Sequence, residues 1–229
     1  NILQKVSPGA WMYNFTNPAG LVTQALQDAG YERSIGICDG ANSGQNAIAA
    51  WAGVNHSQIH AEVFGLNHLS WCRHAWLDGE DLIPVAIADD RFLREAQGLF
   101  DPPLVRQVGM HLNEYLYYYY YAEKAVAAIR KERKTRGEEI MELNQRLMDQ
   151  LEEVNVERNP DRALRTFFGY EKRRGATYMH YAHGGMSMEE ADRQPLFDAD
   201  IPAEGGEGYA GVALSIIEAL EHNRPLDTA

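Results

Sequence analysis

The segment from Ala10 to Cys38 constrains the fold most. Ala10-Trp11-Met12-Tyr13-Asn14-Phe15 is a short apolar run of strand composition. It breaks at Thr16-Asn17-Pro18. Asn17 suits a helix N-cap there, and Pro18 suits the first helical position, where its missing N–H would be unpaired anyway. Leu21, Val22, Ala25 and Leu26 then recur at helical spacing. Gly30 suits the helix end, and Ser34-Ile35-Gly36-Ile37-Cys38-Asp39 is a second apolar run. Strand, helix, strand in one short stretch reads as the closing unit of a parallel α/β sheet. Such sheets take ligands at the carboxyl ends of their strands, which is where Asn14, Asn17 and Cys38 fall.

A second stretch, Val63-Phe64-Gly65-Leu66-Asn67-His68-Leu69-Ser70-Trp71, reads as a buried strand running into a glycine turn. Asn67 and His68 follow as a polar pair framed by apolar residues. Such a pair is either a hydrogen-bonded core element or a site. Cys38 and His68, each at a strand end, are donor types that borderline divalent metals accept, but two donors do not define a metal site.

The remaining pattern is mixed. A helix is expected over 43–52 with Gly53 behind it, strands lie between Val54 and Leu82, and Leu77-Asp78-Gly79-Glu80 reads as a hairpin turn. Asp101-Pro102-Pro103 is a break, after which the pattern turns helical from Leu104 to about Arg133. The run Tyr117–Tyr121 inside it covers every face of a helix, so some rings are expected buried and others wet. Ile140, Leu143, Leu147, Leu151 and Val154 make one apolar stripe on a densely charged helix. Lys172-Arg173-Arg174-Gly175-Ala176-Thr177 reads as a compact basic turn, either an anion site or a solvated loop. Residues 198–211 read as loop, and a last helix is expected from Val212 to Leu220.

Composition sets bounds on function. The formal charge of −12 over 229 residues argues against a nucleic-acid surface. No apolar run approaches the roughly 20 residues of a membrane span, and Cys38 and Cys72 make no disulfide framework. A reduced, cytoplasmic setting is expected. The start at Asn1 has neither an initiator methionine nor the shape of a signal peptide, so the chain reads as part of something longer. G-x-S-x-G, a Walker loop, H-E-x-x-H and a strand-linked G-x-G-x-x-G are all absent from the sequence.

Six blocks carry a resemblance. They are Asn14-Phe15-Thr16-Asn17-Pro18-Ala19-Gly20-Leu21-Val22-Thr23, Ile35-Gly36-Ile37-Cys38-Asp39, Phe64–Trp71, Asn113-Glu114-Tyr115-Leu116-Tyr117-Tyr118-Tyr119, Thr135-Arg136-Gly137-Glu138 and Glu171-Lys172-Arg173-Arg174-Gly175-Ala176-Thr177-Tyr178. In this order, across most of the chain, they resemble the family-4 glycoside hydrolases, an NAD- and metal-dependent group outside the usual two-carboxylate chemistry.

The resemblance implies roles. Cys38 and His68 match the family's ligands for Mn2+ or another divalent metal, and Tyr115 its catalytic base. Asn17 and Arg136 match positions that contact the sugar. The implied reaction is oxidation at C3 by NAD, loss of the C2 proton and elimination. A phenol with an ordinary pKa of about 10 is a poor base at pH 7, and a nearby cation favours its phenolate.

The fold expected is α/β with α+β: the end of a Rossmann sheet over 1–40, then a lactate-dehydrogenase C-terminal-like domain over 41–229 that holds substrate and metal. The expected substrate is a 6-phospho-glucoside, the expected assembly a homo-oligomer, and neither nucleic acid nor membrane is expected as partner. The stretch alone is expected to be inactive, because the family's nucleotide-binding glycines belong to an upstream domain. The alternatives are an α-glycosidase or an unphosphorylated-sugar enzyme of the same family, a non-catalytic sugar-phosphate or metal-binding fragment, and a relative of the hydroxy-acid dehydrogenases.

Overall fold

The computed structural model describes residues 2–193, 196–201 and 216–223. They fall into two compact units, residues 2–116 with 216–223, and residues 117–201.

The first unit contains helices α1 (Ile2–Val6), α2 (Ala19–Asp28), α3 (Ser43–Ala52), α4 (Ile83–Ala88), α5 (Asp90–Ala96) and α6 (Pro102–Val108). Its strands are β1 (Met12–Asn14), β2 (Ser34–Gly36), β3 (His60–Leu66), β4 (Leu69–Leu77), β5 (Glu80–Asp81) and β6 (His111–Leu112). β1 and β2 pair in parallel, with α2 as the crossover between them, as the sequence pattern requires.

One local expectation fails. The residue at the N-cap of α2 is Pro18, not Asn17, and the Asn17–Pro18 bond is cis. The joint is instead held by Asn14, buried at the end of β1. Its Oδ1 accepts from the main-chain N–H and the hydroxyl of Thr16, while its Nδ2 donates to Ala19 O at 3.1 Å and Thr23 Oγ1 at 3.2 Å.

β3 to β6 form a second, antiparallel sheet with β4 in its middle. β3 lies along one edge of β4, and β5 and β6 pair along its length. The turn Asp78–Gly79, at φ 50° and 86°, closes β4 onto β5 as expected. α3 covers the inner face of β4 so closely that a Cβ added at Gly44 would stand 2.4 Å from the Cβ of Cys72. Ile48, Ala49, Cys72, Ala75, Ile83 and Phe92 are buried around this contact.

β3 is not the buried strand expected. It is an edge strand, and Phe64 and Leu66 are 42% and 72% exposed. The chain also does not turn at Gly65. It turns two residues later at Asn67-His68, because Leu66 still pairs with Leu69.

The second unit contains α7 (Tyr117–Tyr120), α8 (Ala122–Ile129), α9 (Arg136–Val154), α10 (Pro160–Ala176), α11 (His180–His183) and α12 (Met188–Asp192). The long helix expected from Leu104 is therefore broken. Gly109, in the left-handed region at φ 70°, ends α6, and β6 and a single 3-10 turn intervene before α7. Tyr117 is buried while Tyr119 is 62% exposed, the division that a run of tyrosines on a helix demands.

α9 opens on a capping box in which Thr135 and Glu138 bond each other's backbone N–H groups. Leu143 packs with Tyr170 of α10 and with Phe197. Lys172–Ala176 is not a solvated turn but the last part of α10, whose inner face includes Ala163, Thr166, Tyr170 and Arg173. Arg173 is buried because two carboxylates meet it, Asp192 at 3.4 Å and Glu139 at 3.7 Å. Burial holds its pKa below the usual value against both.

Residues 216–221 are helical; the expected start of that helix at Val212, and residues 202–211 of the expected loop, lie outside the described residues.

Candidate active site

β2 delivers Cys38. Its ladder with β1 runs on one residue further, Ile37 N–H donating to Asn14 O at 3.0 Å, and Cys38 follows in extended conformation. A single 3-10 turn, Asp39–Asn42, then leads into α3. The β3–β4 hairpin delivers His68 on its two-residue loop. His68 sits at φ 65°, a region histidine tolerates better than most residues. The two side chains meet, with Cys38 Sγ 3.3 Å from His68 Nε2.

Tyr115 joins them from a third direction. It lies in the 3-10 turn Glu114–Leu116, and its ring stacks on the imidazole of His68 with centroids 4.1 Å apart and planes 20° off parallel. This is closer than the roughly 4.5–7 Å usual for aromatic pairs. Neither Cys38 nor Cys72 is joined in a disulfide.

Beside this cluster is a cleft of about 690 Å³. Cys38 and Asn67 line it, with Ala19 and Gly20 from the start of α2 and Phe64 and Leu66 from β3. The exposed apolar face of β3 is therefore a cleft wall. Asn17 lies in the exposed turn just before α2, next to the helix residues that form the cleft's other wall.

The donor chemistry suits a divalent ion. Zinc-type bonds of about 2.3 Å to sulfur and about 2.05 Å to nitrogen place the two donors about 3.1 Å apart at 90° and about 3.5 Å apart at 109°. The observed 3.3 Å lies between these values. Among the described residues no group of three or more His, Cys, Asp or Glu could hold a metal ion, and Cys38 with His68 is a pair of suitable donors in contact.

Arg136 lies in the second unit, as the first residue of α9. Its guanidinium donates to Glu139 Oε2 at 2.5 Å, Thr177 Oγ1 at 2.8 Å and Arg174 O at 2.8 Å. It lines a separate cavity of about 340 Å³ with Tyr118, Thr135 and Tyr181. The phenols of Tyr118 and Tyr181 are 2.5 Å apart, and burial, then this hydrogen bond, push the Tyr181 pKa up.

Sequence reasoning missed one residue of the cluster, the buried Asn113 two residues before Tyr115. The sequence carried no separate signal for it, because the strand and the 3-10 turn that flank Asn113 interrupt what the pattern reads as one helix from Leu104.

The Family 4 glycosyl hydrolase model matches residues 1–54, and the Family 4 glycosyl hydrolase C-terminal domain model matches residues 63–229. The chain belongs to the family 4 glycosyl hydrolases. Its mixed helix and sheet agree with that family's Rossmann end followed by the C-terminal domain.

The 6-phospho-beta-glucosidase of Escherichia coli (strain K12) is 27% identical over 213 residues, which cover 89% of this chain and 46% of that protein. The chain thus spans about half the length of this curated relative. A solved structure of the 6-phospho-beta glucosidase from Thermotoga maritima, with manganese, NAD+ and glucose-6-phosphate, is 26% identical. It superposes with a TM-score of 0.51 over 59% of this chain and 32% of that one. A 6-phospho-alpha-glucosidase from gut microorganisms, 21% identical, shares the fold at a TM-score of 0.55 over 96% of this family-4 chain and 46% of its own.

Proposed function

We propose that the full-length protein hydrolyses 6-phospho-glucosides, most simply 6-phospho-β-glucosides, by oxidation at C3, loss of the C2 proton and elimination of the C1 substituent, followed by the reverse steps with water. One observation carries this reading: Cys38, His68 and Tyr115, far apart in sequence, converge with a 3.3 Å contact between sulfur and imidazole and a phenol stacked on the same imidazole. NAD+ would supply a hydride acceptor, and a divalent cation such as Mn2+, held by Cys38 and His68, would supply Lewis-acid charge beside the reacting carbons.

The chain's own residues do the rest. Cys38 and His68 hold the cation. A thiolate donor lowers the site's net charge and favours a borderline metal over Mg2+. Tyr115 Oη receives the C2 proton, which a carbonyl at C3 makes acidic. Its ring, stacked on His68, is restrained in orientation, so the phenol is presented in one geometry. Asn17, exposed two residues before the cleft-lining Ala19, bonds a sugar hydroxyl. The family resemblance gives Arg136 a contact to the sugar or its 6-phosphate, and three of its N–H donors are already on protein acceptors. The kinship with phosphoglucosidases supports the phosphorylated substrate.

The test is cleavage of a 6-phospho-β-glucoside deuterated at C2 by the full-length protein with NAD+ and Mn2+. The reading expects a primary isotope effect, and a Tyr115→Phe variant that stays folded while kcat falls about 10²–10⁴-fold. Equal rates for both isotopologues without NAD+ would contradict it.

A further inference from the structure

We propose that Asn113 is a positioning residue for the Cys38–His68–Tyr115 cluster, a single buried carboxamide that fixes three chain segments against one another. This rests on the proposed function, because what is positioned is the metal-and-base site.

Asn113 is 2% exposed. Its Nδ2–H donates to Gly40 O at 2.8 Å, and Gly40 lies two residues after Cys38. Its Oδ1 accepts from Tyr115 N–H at 3.0 Å. Its main-chain N–H donates to Ser70 O at 3.3 Å, and Ser70 lies two residues after His68. Its carbonyl accepts from Leu116 N–H at 2.9 Å and closes the turn that carries Tyr115. Every polar end of one residue is thus committed to a segment bearing a member of the cluster.

The packing adds to this. A Cβ built on Gly40 would lie 3.3 Å from His68 Cδ2, 3.6 Å from Asn113 Nδ2 and 3.6 Å from Cys38 Sγ. The loop after Cys38 therefore passes within contact of the imidazole and the carboxamide together. Simple turn capping needs only the bond to Tyr115. The bond to Gly40 reaches across to a different segment, and it is this bond that couples sulfur to phenol. A buried amide suits this role because it offers a donor and an acceptor at once without carrying charge into the interior. Groups hydrogen-bonded directly to metal ligands typically contribute about 10–100-fold to metal affinity, the scale taken for Asn113, which reaches Cys38 and His68 through the main chain at Gly40 and Ser70.

Two variants separate positioning from capping. Asn113→Asp keeps the acceptor for Tyr115 N–H but sets a carboxylate oxygen against Gly40 O. Asn113→Ser keeps a short acceptor for the turn but is too short to reach Gly40. Both are made in the full-length protein and read by far-UV circular dichroism, Mn2+ calorimetry, the thiolate-to-metal absorption of the Co2+-loaded protein, and separate kcat and KM.

The expected result is a retained fold, Mn2+ affinity about 10–100-fold weaker, a shifted or lost thiolate band, and kcat reduced more than KM is raised. Wild-type Mn2+ affinity and an unshifted thiolate band in a folded Asn113→Asp or Asn113→Ser protein would overturn the proposal. So would failure of both variants to fold, which would make Asn113 a stability residue. If the wild type itself binds no Mn2+, the proposed function fails instead.

Discussion

Gly65→Ala should be among the most damaging single-methyl additions in the first unit. Gly65 sits in β3 at φ 116°, a region open to glycine and costly to alanine. Its added Cβ would stand 2.2 Å from Leu69 O and 3.0 Å from Ser70 Cα, both main-chain atoms of the paired strand. No side-chain rotation relieves that clash, so the hairpin itself must move by about 1 Å to restore ordinary contact distances. Backbone strain costs about 1–3 kcal/mol and forced repacking about 1–3 kcal/mol more, together roughly 2–6 kcal/mol. The displaced residue, Leu69, directly follows His68, so the movement reaches the 3.3 Å contact with Cys38.

Gly79→Ala is the matched control. Gly79 also has positive φ, 86°, but a Cβ there meets nothing within 4 Å, leaving only a backbone penalty of about 1–2 kcal/mol. Urea unfolding followed by circular dichroism, with Mn2+ calorimetry on the same samples, compares the two. Gly65→Ala should lower the midpoint further and weaken Mn2+ binding, while Gly79→Ala leaves binding unchanged. A Gly65→Ala protein no less stable than Gly79→Ala, with wild-type metal affinity, would refute the reasoning.

Two further predictions concern buried charge. His111 is buried, and burial lowers its pKa to about 4 from an ordinary value near 6.5. The unfolded chain therefore binds the extra proton first as pH falls. Stability is full above about pH 6.5 and is lost between there and about pH 4, by roughly 3 kcal/mol. Urea midpoints at pH 7 and pH 5 should separate in the wild type and converge in His111→Gln. Arg173→Ala removes a partner of Glu139, whose own exposure is 1%. Breaking a buried pair costs about 3–5 kcal/mol, and the lower end is expected because Arg136 still bonds Glu139. A loss under about 1 kcal/mol by urea titration would show that the pair contributes little.

Much of this architecture was written in local pattern. The β1–α2–β2 unit, the Asp78-Gly79 turn and the apolar stripe on α9 each follow from spacing over a few residues, and the structure contains each of them. The convergence of Cys38, His68 and Tyr115 was not legible from spacing, since three turns from three segments create it; resemblance alone named those residues. The errors share one cause. Gly65 looked like a turn because glycine permits one, yet here it serves close strand approach and the chain turns at Asn67-His68. Lys172–Thr177 looked like a basic turn, either an anion site or a solvated loop, yet it closes α10, and Glu139 and Asp192, distant in sequence, draw Arg173 inside. Asn17 looked like a cap because of its type, but Asn14 already ties that turn. In each case a tertiary neighbour decided between local options of similar energy.

The most direct test of the central claim is Co2+ titration of the full-length protein, watching the near-ultraviolet thiolate-to-metal absorption. One equivalent should raise the band, Cys38→Ser should abolish it, and His68→Ala should weaken metal binding by at least about tenfold. A band that survives Cys38→Ser, or one that never appears, would contradict a shared ion between Cys38 and His68.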